Sequence, residues 1–110
     1  MREAVWSEIC LALKELEREL YSLDLWSLQA PSRIQLASTQ PFCVDTMAFE
    51  QWLQWVFIPR LRLLADQGLA LPGGCQVTPM GEQAFRHLGR RQADLLALLA
   101  RIDQLAGNLE

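Results

Sequence analysis

Lysine is nearly missing from this 110-residue chain: of its ten cationic side chains only Lys14 is not arginine. Arginine in place of lysine favours bidentate and stacked contacts over simple point-charge attraction. There is a single histidine, His87, which limits any proton-shuttle mechanism to one position. No two cysteines stand in C-x-x-C spacing. Cys10, Cys43 and Cys75 are far apart and odd in number, which argues against a disulfide framework and for reduced thiols. With His87 they would make up the ligand count of a tetrahedral zinc site, but such sites draw their ligands in closely spaced pairs, so buried apolar cysteines are the simpler reading. No uncharged apolar run approaches the roughly 20 residues that cross a bilayer, and no basic start followed by an apolar stretch marks a signal peptide. The chain therefore reads as cytoplasmic. A net charge of -3 and a pI near 5.1 argue against a general phosphate-driven nucleic-acid binder. No linker divides the sequence, so residues 1–110 read as one domain.

What is abundant is apolar mass, 51% of the residues, enough for a domain that buries roughly 65% of its unfolded surface. Most of the aromatic part lies between Thr39 and Leu61. Gln40-Pro41-Phe42 is extended, because proline disfavours helical geometry before it. A helix over 45–67 follows, with Asp45 as N-cap and Val44 and Phe49 as the hydrophobic staple. At 100° per residue, Phe49, Trp52, Leu53, Val56, Phe57, Leu63 and Leu64 share the core side. Trp55 and Ile58 fall opposite, among Glu50, Gln51, Gln54 and Arg62. Large apolar groups on the polar side imply a further layer or a partner molecule. Pro59 removes the bond to the Trp55 carbonyl and predicts a kink.

The flanks are helical too. Over 3–22, Val5, Ile9, Ala12, Leu13, Leu16, Leu20 and Leu23 recur at three- and four-residue steps, widened by Trp6 and Cys10. Ser32 caps a short turn of helix near 32–36, and the 23–39 connection is expected to pack through Trp26, Leu28, Ile34 and Leu36. Pro72-Gly73-Gly74 is a turn without the Walker spacing or its lysine. Thr78 as N-cap and Pro79 open a helix over 79–88, and Gly89 breaks it before a last helix over 91–107. There Leu88, Leu95, Ile102 and Leu109 stand at heptad steps, with Leu99 and Ala106 completing a seam for intramolecular packing or a homodimer. The result is an all-α bundle of four to five helices.

No catalytic constellation emerges. A Cys43–His87 pair lacks any cue that brings the two together, and Asp45 beside Glu50 reads as a cap rather than an acid/base partner. The chain is expected not to be an enzyme and to need no cofactor or metal. Gln40, Pro41, Phe42, Gln51, Trp55, Ile58 and Arg62 form the candidate partner interface, since aromatics with arginine make interaction hot spots. Arg86, Arg90 and Arg91 form a candidate basic patch which, with Arg60 and Arg62, supports an alternative as a tRNA- or RNA-binding protein. A third alternative is a small-ligand pocket lined by Phe42, Trp52 and Trp55.

The run Gln40-Pro41-Phe42-Cys43-x-Asp45-Thr46-Met47, then Gln51-Trp52-Leu53-Gln54-x-x-x-Ile58-Pro59-Arg60 and Leu71-Pro72, resembles the YqcC-like family of small bacterial proteins. The resemblance spans nearly the whole chain, and its specificity lies in residues 39–62. It implies a helical bundle with no known enzymatic activity and no catalytic residues to transfer. Because members are often encoded beside a tRNA pseudouridine synthase, it also implies an accessory role in tRNA modification, with that enzyme as protein partner.

Overall fold

Apolar residues three and four apart give α1 (Arg2–Ser22) one buried stripe: Trp6, Ile9, Ala12, Leu13, Leu16 and Leu20. It stops at Asp24, which turns left-handed (φ 60°) so that the Leu25 N–H reaches the Leu20 carbonyl at 2.8 Å, a helix-closing geometry that aspartate tolerates better than most residues. The computed structural model describes residues 2–71 and 73–109, so Pro72 of the predicted turn lies outside the described residues.

The loop that follows departs from expectation. Trp26 packs on the core and stacks on Tyr21 at 5.4 Å, but Leu28 is 91% and Ile34 84% exposed, and Leu36 is exposed as well. Beyond Trp26, polar side chains rather than apolar burial fix this loop. The single-turn α2 (Arg33–Leu36) carries a reciprocal cap, Ser32 N–H to Gln35 Oε1 at 2.8 Å and Gln35 N–H to Ser32 Oγ at 3.2 Å. Gln35 Nε2 then donates to the Thr46 carbonyl, and Thr46 Oγ1 donates to that of Gln35.

The long helix α3 (residues 49–67) begins four residues later than the sequence suggested. Asp45 accepts a hydrogen bond from Ser38 Oγ instead of capping it, and Val44 is exposed, so no staple forms. Pro41–Cys43 is a 3-10 turn with Phe42 (φ 58°) and Cys43 (φ 49°) both left-handed. Ala48 occupies the N-cap; its side chain has nothing to cap with, but its N–H donates to Gln51 Oε1 at 2.9 Å.

Inside α3 the segment Leu53–Phe57 is a π turn between Phe49–Trp52 and Ile58–Gln67. The cause is Pro59. It has no N–H for the Trp55 carbonyl, and its ring would crowd that group; a wider turn, with Ile58 N–H bonded to the Leu53 carbonyl, relieves the clash. Residues of a wide turn each advance by less than 100°, which swings Ile58 back to the side of Leu53, Phe57 and Leu61. Ile58 is 2% exposed. The expectation that it faces outward is overturned, and Leu63, expected inside, is exposed.

Gly68 (φ 63°) closes α3. The chain then passes a turn at Gly73 (φ 78°) and Gly74 (φ 62°), where the Gly74 N–H meets the Leu71 carbonyl at 2.9 Å. Helix α4 (Thr78–Ala84) is shorter than predicted. It passes into a 3-10 segment, Arg86–Gln92, broken at Gly89 (φ 58°, ψ -130°), and then into α5 (Ala93–Ala106). Leu95, Leu99, Ile102, Ala106 and Leu109 are all buried, and α1 packs chiefly against α5, so the heptad seam is satisfied inside one molecule. Gly81 lets α4 approach α5 closely: a Cβ there would sit 2.5 Å from Leu99 Cδ1. Trp6 Nε1 donates to the Leu69 carbonyl at 2.7 Å and Leu71 N–H to that of Leu109 at 3.1 Å, drawing α1, the 68–71 strip and the last turn together. The radius of gyration, 13.6 Å, is close to the ~13 Å of a 100-residue domain.

Candidate binding site

The left-handed turn at Phe42 and the π turn of α3 aim aromatic rings at one another. Phe42 meets Trp52 edge-on at 4.9 Å and Phe49 at 5.6 Å, while Trp52 lies stacked over Phe57 at 5.3 Å. Edge-to-face and offset contacts of this kind each stabilise by about 0.5–1.5 kcal/mol beyond burial. Across from these rings stand Leu71 and the strip of residues 74–77. Between the rings and this wall lies a cavity of about 250 Å³ lined by Phe42, Trp52, Phe57, Arg60, Leu61 and Val77. Pockets for drug-sized ligands occupy roughly 300–1,000 Å³. This one has room for a single large side chain or a comparably small molecule.

The far wall is held from a distance by Asp103 of α5. One carboxylate oxygen accepts from the Cys75 thiol (3.1 Å) and the Val77 N–H (3.0 Å); the other accepts from the Thr78 N–H (2.9 Å) and hydroxyl (2.6 Å). The expected cap, Thr78, is thus itself a donor, and the acceptor for the N-terminus of α4 comes from another helix. Burial, then the bond to Asp103, pushes the Cys75 thiol well above its ordinary pKa. It is a neutral donor, not a nucleophile.

The predicted interface residues are not all at the surface. Gln40 and Pro41 are exposed, Phe42 and Gln51 half-buried, and Ile58 is in the core. Trp55 is half-buried, its indole N–H enclosed without a hydrogen-bond partner. Arg62 is tied to Glu17 of α1 through both carboxylate oxygens, and this hydrogen bonding raises the guanidinium pKa. Arg86, Arg90 and Arg91 are exposed on the 3-10 segment, and Arg60 on α3. Of the predicted ligand pocket, Phe42 and Trp52 line the cavity; Phe57 stands where Trp55 was expected. Cys43 is buried and His87 exposed. The larger depression, about 490 Å³ between α1 and α5, is lined by Glu15, Glu19 and Asp94 together with Arg18 and Arg101. Its three acidic and two basic side chains offset one another in part, and it offers no aromatic surface. Among the described residues no helix is long and apolar enough to cross a membrane.

Two positions escaped the sequence reading. Gln54 is 6% exposed and pairs with the Ser27 backbone; Asp103 shapes the cavity wall. Each has its partners more than 24 residues away, and no local pattern announces such a contact. Pro59, which predicts a disturbed helix, was the available signal for Gln54.

These features define a small all-helical protein built on one core, with an aromatic cavity whose lining includes Arg60. The chain belongs to the DUF446 family, whose model, described as tRNA pseudouridine synthase C, matches residues 8–105. It is 38% identical over 98 residues to an uncharacterized protein of Haemophilus influenzae, covering 89% of this chain and 92% of that one. The solution structure of YqcC from Escherichia coli superposes with a TM-score of 0.84 at 37% identity, covering 96% of this chain and 91% of that one, in keeping with the YqcC-like resemblance. A further relative is a tRNA pseudouridine synthase C of Pectobacterium carotovorum, 42% identical over 66 residues, which make up 60% of this chain and 18% of the synthase.

Proposed function

We propose that this chain is a non-enzymatic protein-interaction module that works with a tRNA pseudouridine synthase. One observation carries the reading: a synthase exists in which 18% of the chain is similar to this protein. A module found within an enzyme in one organism and as a separate chain in another is expected to serve the same enzyme in both. The two full-length likenesses, one of them YqcC itself, bear no enzyme name.

The test is to mix the purified chain with the tRNA pseudouridine synthase C of its own organism and measure association by calorimetry, together with the rate of pseudouridine formation. The expected outcome is a complex with Kd near or below ~1 µM, about -8 kcal/mol, and an altered rate. Separate migration and an unchanged rate at saturating concentrations would overturn the reading. Direct tRNA binding is the second reading, favoured by Arg60, Arg86, Arg90 and Arg91, which are exposed and form no ion pair among the described residues. Affinity of the chain alone for tRNA that falls steeply with salt would select it instead.

A further inference from the structure

The geometry points to the cavity beside Phe42 as the receptacle for an aromatic or large aliphatic side chain that a partner protein carries next to a carboxylate; the inference rests on the reading of the chain as an interaction module. Size is the first argument. At about 250 Å³ the cavity lies below the range of cofactor and drug-sized sites and suits a single anchor residue of the kind that dominates protein interfaces. Charge is the second. Among the described lining residues Arg60 is the one charged group, and it forms no ion pair with a described carboxylate, while Asp103 spends its oxygens behind the wall on Cys75, Val77 and Thr78. An apolar side chain with an adjacent anion satisfies both the rings and the guanidinium. Preorganisation is the third. Phe42 and Cys43 hold left-handed backbone angles that are unfavourable for non-glycine residues and persist where surrounding structure enforces them. Here they set the Phe42 ring edge-on to Trp52 before any partner arrives, which reduces the ordering cost of binding.

Two probes and one partner test this. N-acetyl-phenylalanine and its carboxamide are titrated into isotope-labelled protein and followed by NMR. Both should shift the Trp52 indole and the amides of residues 74–77, with the carboxylate form about threefold tighter, as expected of a partly exposed charge pair; Arg60→Gln should erase the difference. Shifts elsewhere, no shifts, or equal affinity for the two probes would sink the proposal. With the synthase, Arg60→Glu should weaken the complex roughly tenfold, since attraction becomes repulsion, while Arg86→Glu leaves it unchanged. If the synthase binds and Arg60→Glu has no effect, the cavity is not the anchor site although the module reading stands. If the probes behave as expected and the synthase does not bind, the module reading falls and the cavity's preference remains.

Discussion

Gln54 shows how much one polar side chain can hold. Its Oε1 accepts the Ser27 N–H at 2.8 Å and its Nε2 donates to the Ser27 carbonyl at 2.7 Å, so an amide imitates a strand neighbour for a loop that buries little of its own apolar surface. Truncation strands two backbone groups of the half-buried Ser27 and opens a void, together costing about 2–4 kcal/mol. Gln54→Ala is therefore expected to lower the unfolding free energy by about 2–4 kcal/mol in urea titrations; a loss of only a few tenths would mean that water replaces the amide at no cost. The sequence places Gln54 among polar neighbours on an amphipathic helix. A glutamine that clamps backbone and one that faces solvent look the same there.

At the level of elements, legibility followed the range of the determining interactions. The stripe of α1 and the seam of α5 are periodic, and both were readable. So were the stop at Gly68 and the break at Gly89, where a positive φ needs glycine. The start of α3 was not, because Asp45 had a rival partner in Ser38. Nor was its phase: Pro59 acts upstream, through the π turn at Leu53–Phe57, so the angular count fails already before the proline, at Ile58, as well as after it, at Leu63. A hydrophobicity count places the exposed Leu28 and Ile34 in the core, because polar clamps across sequence are invisible to it. Helix–helix proximity gives a second prediction. Gly81→Ala drives a methyl toward Leu99, a fully buried residue with little room to retreat, and is expected to cost about 1–3 kcal/mol, the usual penalty for overpacking, despite alanine's better helix propensity. Thermal unfolding of the variant checks the sign; a stabilised Gly81→Ala would mean that α4 moves freely on α5.

For the molecule as a whole, the Cys75 thiol makes stability depend on alkaline pH. Unfolded, it loses its proton near pH 8.5. Folded, burial and Asp103 hold the proton to higher pH. Below about pH 8 both states keep it and nothing changes; above that the unfolded chain has shed a proton the native chain retains, so stability falls as pH rises. The melting temperature is expected to drop more steeply between about pH 8 and pH 10 in the wild type than in Cys75→Ala. Parallel curves would show that the thiol titrates alike in both states.

The donors that bind Asp103 belong to the segment that walls the aromatic cavity, and Asp103 itself belongs to the helix on which α1 rests. Any occupant that favours the present shape of that wall must also favour the seating of the final helix, by linkage. Hydrogen exchange along residues 93–106 would then slow on occupancy, although the guest touches none of those amides, and the bundle would report its visitor from the side facing away.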